Sequence, residues 1–492
     1  MGHLSKLSVF ILILGLNLGV VMADPLEITM SKRYSARWFT TQNISSEQLL
    51  SLLRNSYGYI GNNRVLPRIG SDYSLVIYAV NSSGSYRYIP ETNSLVTHNL
   101  SVNKETIRPH DCNWPSDANV VFVIVWNQTR MDNQYFASAE AGCLVQNIYL
   151  ASITQNLGTT CVGTIDSEGL RTDLGLPSTM KPILVMPLDY PNSPYPNATP
   201  DYNRMNGNLP PVQLSARDFI TTLNNIEYSQ SWSTQPLSLQ ESSQLLWAAY
   251  GYSNTGHRTT PSAWGIYPLV VYLSNSTGTY RYTPESHSTI LIQSGDRRNN
   301  IAAACGNQLW VAGAPAIFLV ALDSSYNGGE IGDTGDVLDH IFIEVDTGCV
   351  IQQILLEASA TDLGAYLVSN GLESWNGNGA QTLRSILELT SSIIPLFIMP
   401  VGHLPISPTP TPITTPTPSS TPTPTPTTSP APTPSASPSP TSPPSEVPTP
   451  TPEPPEGFHF PIEAFYAISA ITVIIVVGVV ILALRKRSSK KP

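Results

Sequence analysis

The sequence predicts an α+β fold made of two tandem copies of one domain, each a central mixed β-sheet flanked by helices. Three observations predict it. The globular middle of the chain repeats itself at a shift of about 194 residues, a period far longer than the ~20–50 residues of solenoid repeats. Short β-branched runs alternate with long helical stretches, in the same order in each copy. Composition changes sharply at both ends.

The repeat is carried by three matched stretches. Gly84-Ser85-Tyr86-Arg87-Tyr88-Ile89-Pro90-Glu91 matches Gly278-Thr279-Tyr280-Arg281-Tyr282-Thr283-Pro284-Glu285, and Arg64 to Pro67 matches Arg258 to Pro261. Farther on, Gly142-Cys143 to Gln146 matches Gly348-Cys349 to Gln352. Ser45 with Gln48, and Ser238 with Glu241, read as capping boxes that open helices over Ser45–Tyr57 and Ser238–Tyr250. Apolar runs predict strands at Leu75–Val80, Val120–Trp126 and Ile183–Pro187, matched by Leu269–Ser274, Ala316–Leu322 and Leu396–Pro400. Long helices fall at Ala137–Asn156 and about His340–Asp362. The Tyr-Arg-Tyr triplets read as a β-turn edge of the fold, and Trp38 and Trp232 as core anchors. Arg64 and Arg258 are either loop salt-bridge partners or interface groups; the sequence does not choose.

The ends read as export and anchoring. Lys6, the apolar run Leu7–Met22 and the small-residue site before Asp24 make residues 1–23 a signal peptide. Domains then fall at 24–205 and 206–404. Residues 405–456 are almost entirely Pro, Thr and Ser, which cannot build a core and act as a semi-rigid stalk. A transmembrane helix is expected at 463–484, and the basic tail 485–492 marks the cytoplasmic side. These features imply a single-pass membrane protein with an extracytoplasmic N-terminal ectodomain. Sequons at Asn43, Asn81, Asn99, Asn127, Asn197 and Asn275 are consistent with a glycoprotein. The net charge of −10 excludes the basic field that nucleic acid requires.

Cys112 and Cys143 recur as Cys305 and Cys349, while Cys161 has no counterpart. The pairs suggest two intradomain disulfides in an oxidising compartment; the alternative is four buried thiols. No CxxC, HExxH or His cluster is present, so no metal is expected.

The ordered motifs resemble the nitroreductase superfamily, in particular its SagB-type branch of peptide-azoline dehydrogenases. The second half contributes Pro236 to Gly251, Arg258-Thr259-Thr260-Pro261-Ser262-Ala263, Tyr280 to Glu285, Ala302 to Gln308 and Met399-Pro400-Val401-Gly402. The first half contributes Arg33-Tyr34-Ser35-Ala36-Arg37, Glu140 to Asn147 and Leu157 to Gly163. The resemblance implies FMN bound at the interface of a two-fold dimer, which a tandem duplication supplies as a pseudo-dimer within one chain.

It also implies which of two composite sites survives. Arg33, Ser35 and Arg37 fit the family's R-x-S-x-R phosphate pattern, where guanidinium forks match phosphate oxygens. If the segment is extended, alternation places the three side chains on one face. The second half has Glu227, Ser229 and Ser231 there. Conversely, the second half keeps the ring-covering Pro261, Ser262 and Ala263, whereas the first has Pro67, Arg68 and Ile69, with Arg68 expected to intrude on a flavin. Gly163 and Thr164 form the turn beside the flavin edge, where Gly permits close approach, against Ser369 and Asn370 in the second half. One FMN per chain is therefore expected, with no catalytic side chain assigned. The expected function is a membrane-anchored FMN oxidoreductase acting on an unknown small molecule or peptide. The alternative is a retired enzyme that serves as a ligand-binding or envelope module.

Overall fold

The computed structural model describes residues 23–40, 42–325, 337–369, 372 and 377–405, with the backbone alone at 337–339. The signal segment through Met22, nearly all of the stalk, the 463–484 span and the basic tail lie outside the described residues. Among the described residues no helix is long and apolar enough to cross a membrane.

The first half opens with helix α1 (Leu26–Lys32) and helix α2 (Ser46–Tyr57). Strands β1 (Leu75–Asn81), β2 (Gly84–Ile89), β3 (Ser94–Asn99) and β4 (Val120–Asn127) follow. Helix α3 (Gln134–Thr154), strand β5 (Gly158–Thr159) and strand β6 (Met180–Asp189) complete it. The second half repeats the series as α4 (Leu239–Tyr250), β7 (Leu269–Asn275), β8 (Gly278–Thr283), β9 (Ser288–Ser294) and β10 (Ala316–Asp323). It ends with α5 (Val337–Ala360), β11 (Leu363–Ala365) and β12 (Ile393–His403). The two six-stranded sheets have the same order, β3-β2-β1-β4-β6-β5 and β9-β8-β7-β10-β12-β11.

Both capping boxes form. Ser45 Oγ accepts from the Gln48 N–H at 3.1 Å while Gln48 Oε1 accepts from the Ser45 N–H. Ser238 and Glu241 do the same at the start of α4. Satisfying orphan N–H groups in this way fixes where each helix begins.

Three expectations are corrected. The sheets are not mixed: every pairing between their named strands is antiparallel, and a parallel bridge occurs only as the isolated Tyr228–Ala365 contact among the described residues. The Tyr-Arg-Tyr triplets lie inside β2 and β8, with the turns on either side of them. Trp38 is 77 % exposed and anchors nothing, whereas Trp232 is half-buried and donates its indole N–H to the Trp310 carbonyl at 2.9 Å.

The central strands of each sheet are buried on both faces. Leu75, Ile77 and Ala79 of β1 face the large core shared by both halves, and Val76, Tyr78 and Val80 face a second cluster. The shared core is organised by α3 and α5, which cross at Gly142 and Gly348. A Cβ on Gly142 would stand 2.0 Å from the Val345 carbonyl oxygen, and one on Gly348 would stand 2.0 Å from that of Ala139. Only glycine allows this backbone approach.

The cysteines flank the crossing. Cys143 donates to the Gly348 carbonyl and Cys349 to the Gly142 carbonyl, each at 3.2 Å. All five cysteines are free thiols, so the intradomain disulfides do not form. The reason is positional: Cys143 and Cys349 belong to the interface between the halves, while Cys112 sits in a loop bonded to the Thr164 carbonyl.

Candidate active site

Where the halves meet, one cavity of about 250 Å³ draws walls from both. The first half supplies Ser35, Arg37, Gly163 and Thr164, and the second supplies Pro261, Ser262 and Ala263. These residues come from three separate segments, each positioned by a different local device.

The segment after α1 is held as an extended strip, because the Ala36 N–H donates to the Thr159 carbonyl at 2.9 Å. Ala36 is buried, so Ser35 and Arg37 point the other way, into the cavity. Ser35 Oγ lies 3.0 Å from the Tyr149 hydroxyl on α3. Arg33 does not join them. It is the C-terminal cap of α1, where strand alternation has not yet begun, and it is 2 % exposed. Its Nε and Nη2 donate to the Arg258 carbonyl of the other half at 3.3 and 3.1 Å, and its guanidinium lies 5.4 Å over the Tyr149 ring.

Val162 is pinned to β6 by reciprocal backbone bonds with Val185, 3.0 and 2.8 Å long. That contact fixes Gly163 next to α5, where a Cβ would stand 2.1 Å from Phe342 Cε1. The backbone is thereby presented bare.

The opposite lip is held by a residue the motifs did not single out. Asp346, on α5, accepts from Ser262 Oγ at 2.5 Å and from the Ala263 N–H at 3.3 Å. Ser262 Oγ in turn accepts from the Tyr267 N–H at 3.0 Å. Burial pushes the Asp346 carboxyl up to about 7, against the lowering effect of these donors and of the Arg33 charge. Burial, and next the Asp346 charge, push the Cys161 thiol in the same cavity up to about 12. Trp264 stands edge-on to Phe342 at 4.8 Å and closes the aromatic side. Trp264 and Tyr267 adopt φ of 51° and 55°, uncommon for such bulky residues.

The repeat contained a signal for Asp346. It stands two residues before Gly348 as Glu140 stands before Gly142, and each is a carboxylate in a largely apolar helix. Glu140 plays a parallel part, accepting from the Ser74 N–H and hydroxyl and the Tyr57 hydroxyl, each at 2.8 Å. Tyr149, Phe342 and Trp264 carried no comparable signal.

The counterpart positions carry different groups in different surroundings. Glu227 and Ser231 face solvent, and Ser229 Oγ donates to the Ser231 carbonyl at 2.6 Å. In the first half's lip, Ile69 is buried in the main core with Met131 and Phe136. Arg68 is exposed and bonded to the Ser71 carbonyl. Asn370 lies outside the described residues.

Chemically, the composite cavity offers an apolar and aromatic slot formed by Val145, Pro261, Trp264 and Phe342. Arg37 is the cation among the lining residues, and it is exposed at the mouth. The Ser262 hydroxyl is committed to Asp346, and the Cys161 thiol is held protonated at neutral pH, so neither is an activated nucleophile. No group of His, Cys, Asp and Glu suited to a metal occurs among the described residues.

Comparison with known proteins bears on the family and the fold. The Nitroreductase family model matches residues 30–190 and 230–403, one region in each half. A candidate nitroreductase of Methanocaldococcus jannaschii is 30 % identical over 181 residues, covering 35 % of this chain and 85 % of that protein. The crystal structure of a candidate nitroreductase from Anabaena variabilis superposes with a TM-score of 0.60 at 16 % identity, covering 78 % of this chain and 93 % of that one.

Proposed function

The chain belongs to the Nitroreductase family, and from that premise we propose that it is an FMN-dependent oxidoreductase carrying one flavin per chain in the composite cavity. The carrying observation is the asymmetry between the two possible sites. Ser35, Arg37, Gly163, Thr164, Pro261, Ser262 and Ala263 line one cavity, whereas the counterpart positions hold Glu227 and Ser231 in place of the two arginines, and Ile69 in place of Ala263 is buried in the core.

The residues present suit the group. A flat aromatic system fits a slot walled by Pro261, Val145 and Phe342, and the bare backbone at Gly163 admits close approach to its edge. Arg37 would hold the phosphate with Ser35 beside it, while Arg33 would secure the segment from behind by tying it to Arg258 of the other half. When bound, the flavin supplies hydride transfer at N5, to or from the substrate. The chain's own contribution is positional: Asp346 fixes the Ser262–Ala263 lip, and Trp264 and Phe342 set an edge-on ring pair against the slot. Within the family, the motifs favour the peptide-azoline dehydrogenase branch. The signal peptide, stalk and apolar C-terminal run favour an extracytoplasmic, membrane-anchored enzyme, whose electron donor must then be something other than cytosolic nicotinamide.

One observation favours the second reading, a retired enzyme reused for binding. With Arg33 engaged elsewhere, a phosphate dianion would meet one guanidinium rather than two. The visible spectrum of the purified protein decides. Bound FMN near one equivalent per chain, with absorbance at about 450 nm, supports the oxidoreductase. Stoichiometry near two would remove the asymmetry argument, and none after incubation with FMN would leave the binding module.

A further inference from the structure

A second pair of cavities, away from the composite site, repeats in the two halves with a single informative difference. In the first half Arg64, Arg87, Tyr88 and Glu91 line a cavity of about 370 Å³. In the second half Arg258, Arg281, Tyr282 and Glu285 line one of about 340 Å³. Neither shares a lining residue with the flavin cavity.

The inner wall of each is built the same way. Arg64 lies 4.7, 4.6 and 4.7 Å from the ring centres of Tyr57, Tyr59 and Tyr73, and pairs with Glu91 at 3.7 Å. Arg258 lies 4.6, 4.3 and 5.1 Å from Tyr250, Tyr252 and Tyr267, and pairs with Glu285 at 3.2 Å. These buried arginines are structural in both halves.

The outer wall differs. In the second half Arg281 pairs with Asp323 at 3.7 Å. Strand register identifies the counterpart of Asp323: Leu75 pairs with Trp126 as Leu269 pairs with Leu322, so the next residue in the first half is Asn127. Both side chains cap the same turn. Asp323 Oδ1 accepts from the Ser325 N–H and hydroxyl, and Asn127 Oδ1 accepts from the Thr129 N–H and hydroxyl. That turn fixes the amide's orientation, because a backbone N–H needs an acceptor. Where Asp323 offers a second carboxylate oxygen to Arg281, Asn127 therefore offers Nδ2, a donor. Arg87, the counterpart of Arg281, has no acidic partner among the described residues. Arg130, on the same wall, is paired with Asp72 at 3.3 Å. With Asp72 counted, three arginines meet two carboxylates at the first cavity, leaving Arg87 over, and two meet two at the second.

We propose that the first-half cavity is a binding site for a small carboxylate, which takes the place against Arg87 that Asp323 fills against Arg281. The ligand's oxygens would accept from the Arg87 guanidinium and from Asn127 Nδ2, a charge-assisted arrangement that favours a planar carboxylate. The second-half cavity carries its own carboxylate and is closed to such a ligand.

Calorimetric titration of the full chain with succinate tests this, using protein from a host that does not N-glycosylate, since Asn127 heads a sequon. One saturable site is expected, with and without added FMN. Arg87→Gln should weaken it at least tenfold, and Arg281→Gln should leave it unchanged. Asn127→Asp should abolish it while preserving or raising the melting temperature, because it recreates the internal pair of the second half; this separates loss of the site from loss of the fold. Absence of saturable succinate binding, or full binding by Asn127→Asp, overturns the proposal. Equal affinity for sulfate or for the neutral dimethyl ester overturns the assignment to carboxylates.

Discussion

Asp346 provides a measurable consequence of how the lip is held. Its carboxyl is raised from an ordinary value of 3.8 to about 7, chiefly by burial at the interface between the halves. An acid whose folded-state pKa lies above its unfolded value is still protonated in the folded chain after the unfolded chain has ionised. Its contribution to stability therefore falls as pH rises between about 4 and 7. A gap of roughly three pKa units corresponds to a ceiling of about 4 kcal/mol. Asp346→Asn keeps an oxygen to accept from Ser262 Oγ but never ionises. The variant is expected to gain stability relative to the parent as pH rises, by up to about 4 kcal/mol between pH 4 and 8. The difference between the two proteins isolates Asp346, because buried Glu27, Glu140 and Glu357, also raised by burial, are common to both. Urea unfolding of flavin-free protein at pH 4.5, 6 and 8 measures it. Parallel curves for the two proteins, or a variant that loses ground as pH rises, would refute the reasoning.

Three further outcomes follow from the same geometry. Arg37→Ala should weaken FMN binding by about 10- to 100-fold with little change in melting temperature, because a charge-assisted bond at an exposed cavity mouth is lost, worth roughly 1.5–3 kcal/mol. Arg33→Ala should lower the melting temperature instead, as it leaves the Arg258 carbonyl without its donor; fluorescence titration and thermal unfolding of both variants separate the roles. Gly348→Ala sets a methyl group 2.0 Å from the Ala139 carbonyl oxygen and should cost about 3 kcal/mol or more by forcing α3 and α5 apart, read as a large drop in urea midpoint.

Much of the element map was legible in the sequence because its causes are local. Capping boxes, β-branched runs and the long apolar helices recur at matched places in both halves, and the helices and strands they announce appear within a few residues. The hairpins β2–β3 and β8–β9 were missed as strands because they are partly exposed and interrupted by Pro90 and Pro284, which weakens the periodic signal. Antiparallel pairing, the free state of Cys143 and Cys349, and the exposure of Trp38 depend on which segments meet, and no local pattern records that.

The sequence by itself determined that the chain holds two copies of one domain, and that the copies had diverged in complementary ways at Arg33–Arg37 and Pro261–Ala263. Residue identity and order suffice for that, because charge, small size and β-branching are properties of single side chains. The tertiary structure decided how those residues are used. Arg33 reaches a carbonyl 225 positions away and so leaves the cavity, while Asp346 enters it and takes hold of Ser262. The first contact joins the two halves and the second lies within one of them, and both depend on how distant segments pack, with α3 and α5 held close at Gly142 and Gly348, which no local pattern records.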